Sequence, residues 1–191
     1  MALVPLQKEH LRLILPWRNS LAVRRAMFNH HIISIEEHLS WFEELKKDDT
    51  KQWFLFIDEK DEPQGVVYFT EINYEHQTAF WGFYARPEVI SGTGLKMELD
   101  ALDFAFEELK VVKLSCEVLA NNPGVINMHI KVGFSEEGRF REQHLIENQR
   151  LDIVRLGLTA SEWLTNRTKI AKRVSQLIDI RNKLPLPALK S

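Results

Sequence analysis

The sequence predicts an α/β chain of the α+β kind, built on one mixed, mostly antiparallel twisted sheet of about seven strands flanked by helices. Three observations predict it. Seven short apolar runs, near residues 3–6, 53–57, 65–72, 79–85, 113–119, 134–142 and 150–158, have the length and composition of strands. The separators Asp58–Pro63 and Asn73–Gln77 are short and turn-rich, which joins the second, third and fourth runs as an antiparallel meander. Between the fourth and fifth runs stand a glycine-containing turn and a long amphipathic run, so that connection reads strand–helix–strand.

Taken in order, Leu3–Leu6 forms a short opening strand. From Glu9 to about Met27 the pattern is helical, with Leu11, Ile14 and Leu15 on one side. Pro16 is expected to break it, setting Trp17-Arg18-Asn19 at a bend and Arg24 and Arg25 on a second piece. Ser34-Ile35-Glu36-Glu37 is a capping box opening a helix whose stripe is Ile35, Leu39, Phe42 and Leu45. His38 and Trp41 lie beside that stripe and face a pocket.

After the meander, Leu95, Leu99, Leu102, Ala105 and Leu109 mark the next helix. In Lys113–Leu119, Leu114, Cys116 and Val118 share one face, and Ser115 and Glu117 the other. Asn122-Pro123 is a paired helix-start signal and Gly133 the stop. The short helix between them sets Asn122, Val125, His129 and Val132 on one side. A last helix, about Ser161–Asn182, turns Leu164, Ile170, Val174 and Leu177 inward. The expected organisation is one domain over residues 1–160, a helical extension over 161–183 and a mobile tail over 184–191.

At 191 residues the chain is long enough to bury a substantial core. Its single cysteine, Cys116, excludes an intramolecular disulfide and fits a reducing compartment. No signal peptide and no membrane-spanning run are read, so a cytoplasmic location is expected. Residues 165–191 carry seven Lys/Arg against a single acid, Asp179, which leaves a net −8 on residues 1–164. An acidic body argues against nucleic acid as a partner. His30, His31 and His38 lack the spacing of a known metal site, so no metal is expected, and Cys116 reads as core rather than as a nucleophile.

The stretch from Trp81 to Phe134 carries the chemistry. Gly92-Thr93-Gly94-Leu95-Lys96 opens a helix directly after a strand. Backbone N–H groups at a helix start are unpaired and partly positive, so they hold phosphate, and glycine lets the backbone approach it closely. This turn, with the helix, strand, Asn122-initiated helix and His129-Ile130-Lys131-Val132-Gly133-Phe134 that follow, resembles the GNAT superfamily of acetyl-CoA-dependent N-acetyltransferases. That fold implies a splayed central strand pair that takes up acetyl-CoA. The superfamily's phosphate loop usually opens on Gln or Arg, where this chain has Val89.

The resemblance implies a cofactor contact set of Phe83, Tyr84 and Ala85, on a strand bulge with a free N–H, then Gly92 to Lys96, Asn122 and Lys131. It makes Glu117 the candidate base. It also places His129, twelve residues on, where these enzymes keep a tyrosine acid beside the thioester sulfur.

The first half narrows the branch. Trp17-Arg18-Asn19, Val23-Arg24, Met27, Ser34-x-Glu36-Glu37-His38-x-x-Trp41-Phe42 and Gly65-Val66-Val67-x-Phe69-Thr70 are similar to the nucleotide-sugar N-acetyltransferases of pseudaminic acid biosynthesis, the PseH family. That similarity implies acetylation of the 4-amino group of UDP-4-amino-4,6-dideoxy-N-acetyl-β-L-altrosamine, on the route to flagellin glycosylation. The implied acceptor contacts are Trp17, Arg18, Asn19, Arg24, Met27, His38, Trp41 and Thr70. Acetyl-CoA and a UDP-aminosugar are then the expected partners, and a homodimer the assembly allowed for. Two other readings stay open: acetylation of protein N-termini or other small amines, and a non-catalytic acyl-CoA-binding domain.

Overall fold

The computed structural model describes residues 2–89 and 92–183. One seven-stranded sheet holds β1 (Ala2–Pro5), β2 (Gln52–Ile57), β3 (Pro63–Asn73), β4 (Thr78–Ala85), β5 (Lys113–Leu119), β6 (Ser135–Ile146) and β7 (Gln149–Thr159). Their order across it is β1-β2-β3-β4-β5-β7-β6. Every neighbouring pair is antiparallel except β4–β5, where a helical crossover returns the chain to the same end. This is the mixed, mostly antiparallel seven-stranded sheet flanked by helices that the sequence predicts. The tail from 184 onward, and residues 90 and 91 of the glycine turn, lie outside the described residues.

Helices α1 (Leu11–Asn19), α2 (Leu21–Ala26) and α3 (Ile35–Leu45) cover one face of the sheet. There Leu11, Ile14 and Phe42 pack on Leu55, Val66 and Tyr84. Helices α4 (Thr93–Asp103), α5 (Pro123–Lys131) and α6 (Ala160–Lys183) cover the other. Their core partners include Val67, Phe69, Trp81, Leu114, Cys116 and Leu156. Among the described residues no helix is long and apolar enough to cross a membrane.

Four expectations are corrected. Helix α1 runs through Pro16 to Asn19, so the break falls at Ser20, whose hydroxyl caps α2 by accepting from Val23 N. Ser34 caps α3 as expected, but Glu37 does not reach back; its carboxylate takes Nε2 of His31 instead. No bulge interrupts β4 at Phe83–Ala85, since its register with β3 is unbroken from Gly65–Ala85 to Phe69–Trp81. The inward side of α6 is Trp163, Ile170, Val174 and Ile178, while Leu164 is 69 % exposed.

Helix α6 is seated on the core. Trp163 is fully buried against Phe106, its indole N–H reaches Asp103 at 3.2 Å, and Arg167 grips the same carboxylate at 3.0 and 2.6 Å. Trp163→Ala should therefore cost about 3–5 kcal/mol. A shift of the urea midpoint by less than about 0.5 kcal/mol equivalent would show that α6 docks only loosely.

Candidate active site

Strands β4 and β5 pair only from Thr78–Lys113 to Phe80–Ser115, and beyond that they part. The later half of β4 therefore has no partner along that edge among the described residues. The gap is a cavity of about 280 Å³ that passes between the two helical layers. Phe83, Tyr84, Ala85, Cys116 and Glu117 line it from the sheet, Asn122, Val125 and His129 from α5, and Val23, Met27 and Phe28 from the α2 side.

Gly92 caps α4 in the left-handed region, with φ of +94°. A side chain there is strained, and its Cβ would lie 2.7 Å from Ile178, so α6 closes over the start of α4. Gly94 has Met128 and Phe83 as nearest neighbours, on the cleft side. Thr93 and Leu95 turn their side chains inward, so only their backbone is available to a phosphate. Asn122 caps α5, accepting from Val125 N at 3.4 Å, and lines the gap. Lys131 is not brought there. It lines a separate hollow with Lys169 and Arg173 of α6, because it lies two residues past His129 and on the opposite side of α5. Lys96 is half-buried on α4 and lines neither the gap nor the hollow.

Glu117 lies on the opposite face of β5 from Leu114 and Cys116, toward α2. Its Oε1 accepts from Arg155 Nη1 at 2.9 Å, across the β5–β7 register Glu117–Arg155. Arg155 in turn lies 4.0 Å over the Phe80 ring. His129 is 3 % exposed and holds Glu98 of α4 through Nδ1.

Beside Tyr84 a second cavity, about 210 Å³, is lined by Arg18, Asn29, Ile33, Glu37, His38, Trp41, Trp53 and Tyr84. Arg18 Nη1, His38 Nε2 and Trp53 Nε1 are buried there without a hydrogen-bond partner among the described residues. Burial, then the neighbouring Arg18 charge, pushes the His38 pKa down, so this ring is neutral near pH 7. Burial pushes the Tyr68 phenol up to about 12, and the Tyr84 phenol also up. The aromatic wall is continuous: His38 stacks on Trp41 at 5.1 Å, Trp41 meets Trp53 edge-on at 4.7 Å, and Trp53 stacks on Tyr68 at 4.3 Å.

Other predicted acceptor contacts serve the walls. Asn19 pins Ile33 through both its N–H and C=O, at 2.9 and 2.8 Å. Arg24 donates to Asn19 O and His30 O at 3.0 Å each, so both residues hold the loop before α3 in place. Trp17 packs into the α1–α3 core, and Thr70, though on the Tyr68 face of β3, lines neither cavity. Sequence reading missed Trp53, Tyr68, Arg155 and Glu98. Glu98 had a signal, since it stands at i+3 from Leu95 and i−4 from Leu102 on a stripe otherwise apolar.

The comparisons agree with this geometry. The chain matches the Acetyltransferase (GNAT) domain model over residues 1–135. It is 28 % identical to a spermidine N(1)-acetyltransferase of Vibrio cholerae over 86 % of this chain and 95 % of that protein. It is 29 % identical to the acetyltransferase PseH of Campylobacter jejuni over 65 % of this chain and 76 % of that one. A solved spermidine N-acetyltransferase from Vibrio cholerae, in complex with CoA and spermine, superposes with a TM-score of 0.81 at 26 % identity, covering 85 % of this chain and 97 % of that chain. With its domain model matched over more than two thirds of its length and the parted β4–β5 pair in place, the chain belongs to the GNAT family of acetyltransferases.

Proposed function

We propose that this acetyl-CoA-dependent N-acetyltransferase acts on an anionic aminosugar, the 4-amino group of a UDP-linked 4-amino-4,6-dideoxy sugar. The observation that supports it is the cavity beside Tyr84. Its cation Arg18, and the donors on Arg18, His38 and Trp53 that lack partners among the described residues, suit a ligand rich in acceptors and negative charge. The carboxylate among its described lining residues, Glu37, is already engaged by His31. The aromatic Trp41–Trp53–Tyr68 wall suits a nucleobase and a 6-deoxy methyl group.

In this reading acetyl-CoA enters on the α4–α5 face, its diphosphate at the α4 start and its pantetheine along the unpaired edge of β4. The acceptor enters from the α1–α3 face. Glu117, directly or through a water, takes the proton of the attacking amine. Backbone N–H groups of β4 near Phe83–Ala85 polarise the thioester oxygen, and the leaving sulfur meets His129. Base and acid thus lie on opposite sides of the gap.

A second reading has a specific observation behind it. The spermidine acetyltransferases match more of the chain than PseH does, and residues 1–164 carry a net −8 that attracts polycations. Against it, a polyamine meets Arg18 in the cavity and no unengaged carboxylate. Incubation with acetyl-CoA and equal concentrations of 4-amino UDP-sugars, spermidine, spermine and peptide amines, read by mass spectrometry, decides. The proposal expects at least tenfold preference for the UDP-sugars. Polyamine acetylation with the sugars untouched would overturn it.

A further inference from the structure

Helix α4 carries a single carboxylate deep in its inner face. Glu98 is buried between Leu95 and Leu102, with no exposed side-chain surface. A carboxylate in such surroundings stays charged only beside a cation that hydrogen-bonds it. His129 is that partner: its Nδ1–H donates to Glu98 Oε1. Three rings box the imidazole, with Trp81, Phe83 and Phe134 at centroid distances of 5.4, 6.1 and 5.3 Å. The rings set its plane and the carboxylate sets its rotation. With Nδ1 committed to Glu98, Nε2 carries the proton for delivery; Cys116 of β5 also hydrogen-bonds the ring, and both residues line the β4–β5 gap.

We propose, resting on the acetyl-transfer reading above, that Glu98 is a positioning residue that keeps His129 as an imidazolium presenting Nε2–H to the departing sulfur. A tyrosine acid carries its proton without help, whereas a buried histidine needs a counter-charge to remain protonated at neutral pH. Glu98 supplies it. The titratable groups facing the ring are Glu98 from α4 and Cys116 from β5, with Glu117 lining the same gap; β4 presents only Trp81 and Phe83. Burial opposes the imidazolium, but the charge of Glu98, helped by Cys116, outweighs it and pushes His129 up to about 10. Burial pushes Glu98 up as well, while His129 pulls it back, so the pair as a whole holds one proton across the neutral range.

The step balances. As the tetrahedral adduct collapses, the C–S bond breaks and its electron pair stays on sulfur. Nε2–H passes its proton to that sulfur, giving the free thiol and a neutral imidazole, which regains a proton from solvent. Starting from the ammonium, nitrogen gives up two protons by way of Glu117, one before attack and one from the adduct; the imidazole takes one back from solvent, so a single proton is released net.

The sign of the pH effect follows. A group with a raised pKa is active below that value and loses its proton as pH rises through it. The native enzyme should therefore keep turnover to about pH 9 or above. In Glu98→Gln, burial is opposed by Cys116 alone and His129 falls toward the ordinary value of about 6.5. Turnover at about pH 8.5 should then drop roughly 10- to 100-fold with the KM for acetyl-CoA unchanged. Glu98→Asp, which keeps the charge, should restore most of it. The ring is followed directly by ¹H–¹⁵N NMR titration of His129, assigned with His129→Asn. Turnover is measured with whichever amine the native enzyme acetylates, so a wrong acceptor assignment leaves this test intact. If no amine is acetylated, the acetyl-transfer reading falls by itself, and the NMR titration still decides the pair. A folded Glu98→Gln enzyme with the native pH profile, or a native His129 that titrates near 6.5, overturns the proposal.

Discussion

Glu117→Gln is expected to lower turnover by roughly 10²–10⁴-fold, the usual range for loss of a general base, while leaving acetyl-CoA affinity within about a factor of two. An alkylammonium near pH 7 is almost wholly protonated and has no lone pair for attack, so the proton must go to a placed acceptor. Glu117 is placed for it. It lines the gap on the acceptor side, and Arg155 binds one oxygen at 2.9 Å, which leaves the other available to the amine or to a water. The Phe80 ring under Arg155 fixes that guanidinium in turn. Glutamine matches the shape and the hydrogen bond to Arg155 but accepts no proton, so the loss should fall on kcat. Steady-state kinetics with a separate acetyl-CoA titration reads this, and a folded Glu117→Gln enzyme with near-native turnover removes Glu117 from the mechanism. The loss should exceed that in Glu98→Gln, since a thiolate, whose conjugate acid has a pKa of about 8.5, can leave partly unassisted whereas an ammonium cannot attack.

Arg18→Gln should reduce kcat/KM for a UDP-aminosugar roughly 10- to 100-fold, mainly through KM, because a hydrogen bond to a charged group contributes about 1.5–3 kcal/mol. Arg18 sits at the floor of the second cavity, and its Nη2 is held by Asn29 O at 2.6 Å while Nη1 is buried without a partner. Burial pushes its pKa down, the nearby Tyr84 and Tyr68 push it back up, and it remains charged under working conditions. The same variant distinguishes the two readings of the acceptor. Removing a cation should weaken an anionic acceptor and strengthen a polyamine. Improved spermidine acetylation together with unchanged sugar kinetics would contradict the aminosugar assignment.

Much of this architecture is legible in the residues themselves. The β-alternation of Leu114, Cys116 and Val118 against Glu117, the Asn122-Pro123 start and the Ser34 cap are decided within a few residues by backbone sterics and local hydrogen bonds. The parted strand pair was implied by the resemblance to the GNAT superfamily, not by any local pattern. The partners of the charges were not legible. Glu117 meets Arg155 only because β7 crosses back between β5 and β6 in one register. Glu98 meets His129, thirty-one positions away, only because α4 and α5 pack on the same side of β4. Asn19 and Arg24 carried the right chemistry for ligands, yet the fold sets backbone carbonyls and N–H groups of their own loop within reach. Pattern in the sequence determined which face each side chain takes, since that is set by the 3.6- and 2-residue periods of the backbone. Which opposite charge or empty cavity waits on that face was decided by tertiary structure alone, because packing brings together segments that share no local geometry.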